Sequence, residues 1–202
     1  AYPFLYVEPT QYRMRMLDAS TARIWNLHFE NEAGVVQPHL RVGNDTWLLP
    51  HPVQMDHFLL GPAQRADTVM DFSGYAPGTV LYLVNTSEQN KGTGPTGDLL
   101  TNGTTGFSER IMKIVVGDKT ATTPVNSLDP TTPLRDNTPI LGSEISNHRT
   151  FQFGRNNGYW SINQTKFEAE ISNNPMAVGV AEEWTLINGG GGWWHPIHIH
   201  LE

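Results

Sequence analysis

Tyr12-Arg13-Met14-Arg15-Met16-Leu17 alternates apolar and charged side chains. Successive side chains of an extended chain point to opposite faces. The pattern therefore predicts a half-buried strand with both arginines on the solvent face. Thr79-Val80-Leu81-Tyr82-Leu83-Val84, Arg110-Ile111-Met112-Lys113-Ile114-Val115-Val116 and Trp184-Thr185-Leu186-Ile187 are short, β-branched and apolar. They read as further strands. Few windows carry the i, i+3, i+4, i+7 spacing of a helix, and 19 glycines and 14 prolines punctuate the chain. The expectation is an all-β sandwich or barrel.

Organisation follows from where the strands stop. Residues 1–117 are expected to form one complete β-domain. Residues 118–139 are rich in Thr, Pro, Asn and Asp without periodicity, and read as a linker. Residues 140–202 hold too few strands for a sandwich and stop inside a strand-like segment, Pro196 to Leu201. A second domain is expected here in truncated form. The start at Ala1, without Met or a signal peptide, suggests a processed chain or a piece of a longer one.

Composition excludes several classes. The 202 residues contain no cysteine, which rules out a disulfide scaffold, a zinc finger and a thiol enzyme. It also rules out any copper site that needs a thiolate, unless the thiolate comes from elsewhere. Thirteen Lys+Arg against twenty Asp+Glu give a net charge of -7, and no basic cluster offsets it. Nucleic acid and anionic membranes are poor partners for such a chain. No apolar run approaches the roughly 20 residues of a membrane span.

Gly92-Thr93-Gly94-Pro95-Thr96-Gly97 fits the dinucleotide-loop pattern. That motif must open a helix, and Pro95 followed by Asn102-Gly103 does not support one. A hairpin loop is the better reading. Four Asn-x-Ser/Thr sequons, at Asn44, Asn85, Asn102 and Asn163, mark expected surface positions.

The one chemical motif is Trp193-Trp194-His195-Pro196-Ile197-His198-Ile199-His200. Three imidazoles in six residues suit copper or zinc. On a strand His198 and His200 share a face, about 7 Å apart along the chain. His195 lies an odd number of residues from both and beyond Pro196. The spacing suggests two sites back to back rather than one three-histidine cage. Two other readings compete: a β-sandwich scaffold module with an incidental metal site, and a zinc-dependent hydrolase using all three histidines. The hydrolase lacks an obvious general base. His28, His39, His51, His57 and His148 are isolated along the chain and read as structural.

His-Pro-Ile-His-Ile-His closely resembles the third-domain signature of multicopper oxidases. Glu182-Glu183-Trp184-Thr185-Leu186-Ile187-Asn188 resembles the strand before it. Tyr159-Trp160-Ser161-Ile162-Asn163 resembles the entry to that domain, with Gln164 where glycine is usual. Earlier, Val7-Glu8-Pro9, Tyr12 to Arg15 and Leu17 to Arg23 resemble the opening of the second cupredoxin domain, with Asp18 where Asn is favoured. Leu60-Gly61-Pro62-Ala63-Gln64-Arg65-Ala66-Asp67 and Asp71-Phe72 are similar to a further segment of it. The wording is closest to the branch of bilirubin oxidase, spore-coat laccase and phenoxazinone synthase.

The resemblance implies cupredoxin-like Greek-key domains, secreted or otherwise outside the cytoplasm. It implies one-electron oxidation of phenols, aromatic amines or tetrapyrroles, coupled to four-electron reduction of O2 to water. His195 would bind the type 1 copper, His198 the type 2 copper and His200 one of the type 3 pair. The remaining ligands, including the type 1 cysteine, would come from a first domain and a C-terminal Cys/His segment. The chain holds three of the family's ten histidine ligands and no thiolate, so by itself it is expected to be inactive.

Overall fold

The computed structural model describes residues 3–98, 100, 110–125, 127–197 and 199. They fall into two compact units, Ala1–Asp136 and Asn137–Glu202. As the alternation predicts, both are built from strands. The one helical piece among the described residues is a single 3-10 turn, Gly142–Glu144.

Ten strands make the first unit: β1 (Phe4–Val7), β2 (Gln11–Leu17), β3 (Trp25–Asn31), β4 (Val36–Gln37), β5 (His39–Asn44), β6 (Trp47–Met55), β7 (Phe58–Leu60), β8 (Arg65–Asp71), β9 (Val80–Asn85) and β10 (Arg110–Val116). One sheet runs β1-β10-β9-β3-β4, with β7 also on β3; the other runs β2-β8-β5-β6. β1 pairs parallel to β10 at an edge, and every other pair in this unit is antiparallel. Alternation assigns the faces. Leu27, Phe29, Leu81, Leu83, Ile114 and Val116 of the first sheet meet Ala66 and Met70 of the second in one buried cluster. Tyr12, Met14 and Met16 pack against that cluster, while Arg13 and Arg15 face away. Arg13 ion-pairs with Asp67 on the neighbouring β8.

The stretch after β10 carries no strand and is hydrogen-bonded along the first unit. Thr10 Oγ1 donates to Pro124 O at 2.7 Å, and Leu134 N to Pro50 O at 2.9 Å. Gln11 bonds Leu128 through both ends of its amide, at 2.9 and 3.0 Å.

The second unit is one mixed sheet in the order β13-β12-β11-β14, from β11 (Ile145–Asn156), β12 (Tyr159–Ile162), β13 (Thr165–Lys166) and β14 (Ala181–Asn188). Among its described residues Phe151 is the one fully buried hydrophobic side chain. Trp160, Ile162 and Leu186 stay more than 40% exposed, so the sheet has no apolar layer closing over it among the described residues. No described helix is long and apolar enough to cross a membrane. Of the sequons, Asn85 is fully buried and hydrogen-bonded to Asn26 N and Ser87, whereas Asn44 is exposed. Asn102 lies outside the described residues.

One buried polar side chain sets a pH dependence. His39, 2% exposed, sits between the rings of Phe29 (5.5 Å) and Phe58 (5.2 Å) with neither nitrogen hydrogen-bonded. Burial, reinforced by Arg41, pushes its pKa down from 6.5 to about 4. Between those values the unfolded chain binds a proton that the folded chain refuses. Stability is therefore full above about pH 6.5 and falls as the pH drops toward 4, by about 3 kcal/mol in all. Urea midpoints measured from pH 7 to pH 4.5 should decline steeply for the wild type. They should decline less for His39→Leu, the residual slope coming in part from His28, whose pKa burial also lowers.

Candidate metal centre

The site is built from the end of β14. Its pairing with β11 is parallel, from Ile145↔Ala181 to Phe153↔Asn188. A half-buried charge pair spans that pairing. Arg149 Nε donates to Glu182 Oε2 at 2.7 Å and its Nη2 to Oε1 at 2.9 Å, and Trp184 Nε1 donates to the same carboxylate at 2.9 Å. Arg149 foremost, then Trp184, holds Glu182 below the usual carboxylate range. Trp184 also meets the buried Phe151 edge-on at 5.0 Å.

Asn188 then turns the chain. Its Oδ1 accepts from Gly190 N at 3.0 Å, and its Nδ2 donates to Trp193 O at 2.7 Å. Between these bonds Gly191 and Gly192 adopt φ of +62° and +91°, a region that glycine enters without steric cost. The turn lays His195 against Phe153 (5.9 Å between centroids) and edge-on to Trp160 (5.4 Å). Trp193 packs on the other side of this group, 5.0 Å from Trp160. His195 Nε2 is buried, and among the described residues neither ring nitrogen has a hydrogen-bond partner. A cavity of about 290 Å³ opens beside the imidazole, lined by Trp160, Ile162 and Phe167 among others.

An imidazole held by aromatic neighbours, with its polar atoms unpaired, suits a metal ligand, since a buried nitrogen without a partner is costly. It is one ligand rather than a set. Among the described residues no three His, Asp or Glu side chains converge on a common point. His195 lies outside any strand, and His198 and His200 lie outside the described residues.

Pairing of distant strands brings together histidines that the sequence leaves apart. Leu27↔Phe58 is a register pair of β3 and β7, which sets His28 beside His57, their rings 4.7 Å apart. His28 Nε2 lies 3.3 Å from Glu30 Oε2, and Glu30 Oε1 lies 3.3 Å from Arg110. His28 and Glu30 share a face of β3, but Arg110 reaches Glu30 from β10, 80 residues away, and no local sequence signal announces that third member.

No family model matches the chain. It is 37% identical over 205 residues to the bilirubin oxidase of Albifimbria verrucaria, and 30% identical over 208 residues to the laccase of Bacillus subtilis. Each match takes in 99% of this chain, and 34% and 36% of the respective relative. Over nearly its whole length the chain is similar to multicopper oxidases. It spans about a third of the length of the curated relatives it matches. A variant of the multicopper oxidase McoA from Aquifex aeolicus superposes with a TM-score of 0.74 at 23% identity, over 98% of this chain and 42% of that one. The fold is cupredoxin-like, as the family resemblance implied.

One backbone position guards the candidate ligand. A Cβ placed on Gly190 would stand 2.5 Å from His195 Nε2. Gly190→Ala must therefore displace the imidazole, at about 1–3 kcal/mol for overpacking. The His195 ring resonances should shift in NMR spectra, and thermal unfolding of this unit should move down. Gly142→Ala, with open space around it, should do neither.

Proposed function

We propose that this chain is the second cupredoxin domain and the start of the third domain of a copper-dependent oxidase, with boundaries near 1–117 and 140–202. The parent would couple one-electron oxidation of a small aromatic reductant, a phenol, aromatic amine or tetrapyrrole, to four-electron reduction of O2 to water. The observation that supports this reading is that a chain 37% identical to a bilirubin oxidase over 99% of its length places His195 beside a cavity, without a hydrogen-bond partner among the described residues. The same comparisons favour the oxidase over the scaffold-module and zinc-hydrolase readings.

His195 would hold the type 1 copper, His198 the type 2 copper and His200 one of the type 3 pair. Copper, when bound, would supply the one-electron chemistry between the reductant and O2. The chain's own residues do the positioning. Asn188 fixes the turn that delivers His195. Phe153 and Trp160 restrict the ring and exclude water from one side of it. The first unit carries none of the proposed ligands, and its role would be to hold neighbouring parts of the oxidase in register. The thiolate that a type 1 site requires must come from another segment, because this chain contains no cysteine. Placement outside the cytoplasm belongs to the same proposal, and the exposed sequon at Asn44 is compatible with it.

Two measurements test the reading. The purified 202-residue chain, given copper, should show neither intense blue absorption nor phenol oxidation; either one would overturn the division of ligands. In a protein extended at both ends from the source gene, His195→Ala should abolish the blue absorption. His198→Ala should keep it and lose O2 reduction. Retention of the blue colour in His195→Ala would sink the assignment.

A further inference from the structure

The outer face of the β2-β8-β5-β6 sheet carries a cavity of about 620 Å³, away from every residue assigned to copper. Arg13, Arg15 and Arg65 line it, together with Asp45 and Asp67. Two of the three cations are neutralised. Arg13 Nε donates to both oxygens of Asp67, at 2.8 and 3.0 Å. Arg65 Nη1 stands 3.2 Å from Asp45 Oδ1 and donates to Ala63 O at 2.9 Å. Arg15 has no hydrogen bond or ion pair among the described residues. With Arg135 on the Trp47 ring, four guanidiniums stand against two carboxylates, which leaves the groove positive in a chain whose net charge is -7.

The groove is not uniformly polar. Leu17 (60% exposed) lies two residues beyond Arg15 on the same face of β2, and Trp47 (47%) and Leu48 (38%) open β6. Arg135 covers one side of the Trp47 ring at 4.2 Å, which fixes the indole as a wall. An unpaired guanidinium presents a fork that fits a carboxylate with two hydrogen bonds. Flat apolar walls next to it suit an aromatic body better than a hydrated inorganic anion.

We propose that this groove binds an aryl carboxylate, with the carboxylate on Arg15 and the ring against Trp47 and Leu17. The site is independent of the copper reading, since it lies wholly within the first unit and uses none of its ligands. A bound carboxylate would offset part of the local positive charge, and the affinity would fall as salt screens the pair.

The test is calorimetric titration of the full 202-residue chain with 2-naphthoate, followed also by tryptophan fluorescence. One saturable site is expected. Arg15→Gln should weaken binding about tenfold or more, the usual loss for a charge-assisted pair. Its thermal unfolding should be unchanged, because the side chain is exposed and unpaired. Trp47→Leu should weaken naphthoate by several-fold while the chain stays folded. Lys91→Gln, an exposed charge elsewhere, should change nothing. Absence of saturation, or an Arg15→Gln variant that binds as well as wild type, overturns the proposal. So does displacement of naphthoate by equal concentrations of sulfate, which would make the groove an inorganic-anion site.

Discussion

The parallel pairing of β11 with β14 is the constraint on which the candidate metal centre depends. Parallel strands cannot be joined by a tight turn, so residues between 157 and 180 must be spent before β14 can lie beside β11. Arg149 and Glu182 then lock the register from within the sheet, with Trp184 satisfying the same carboxylate. A one-residue slip would carry Asn188 to the wrong face. Asn188 would no longer reach both Gly190 and Trp193, and the turn that presents His195 would lose its two side-chain bonds. The geometry of one imidazole thus rests on an ion pair some distance from it in sequence.

The first unit shows how much of this architecture is legible in a bare sequence. Tyr12 to Leu17 alternates, and its inward and outward faces in the structure are the ones alternation assigns. Arg110 to Val116 is a strand with those same ends. Local pattern suffices here because one face of each strand is buried and the period is two. What pattern does not convey is which strands become neighbours. The β1-β10 edge joins the first strand of the unit to its last. The buried chain of His28, Glu30 and Arg110 exists only after β3 and β10 are brought to the same sheet. Each of these residues is unremarkable in its own window, so reading them singly makes them structural and isolated.

The candidate site was legible in a different way. His195, His198 and His200 suggest metal chemistry by density and residue type, and of the three the structure describes His195 alone. Legibility ends at the support. Nothing in the run Gly189 to Gly192 says that Gly190 will lie against the imidazole or that Trp160, 35 positions earlier in the chain, will wall it. Those relations come from tertiary packing, and the aromatic residues that create them would serve equally well in an ordinary core.

The absence of cysteine and the open face of the second sheet bear on the same physical question. A ligand set divided between segments makes metal binding a consequence of their association, so that the free energy of coordination becomes free energy of assembly. Trp160, Ile162 and Leu186 point the same way, since large apolar side chains more than 40% exposed on one sheet gain most when another layer covers them. Among the described residues a single buried phenylalanine gives this unit a slight core of its own. The twelve buried residues clustered in the first unit give it a core that stands without help. The asymmetry follows the proposed chemistry. The unit without copper ligands is built as a finished sandwich. On the proposed function, the unit that carries the ligands would gain from a covering layer, and the hydrophobic effect that completes the sheet would also bring a thiolate to His195.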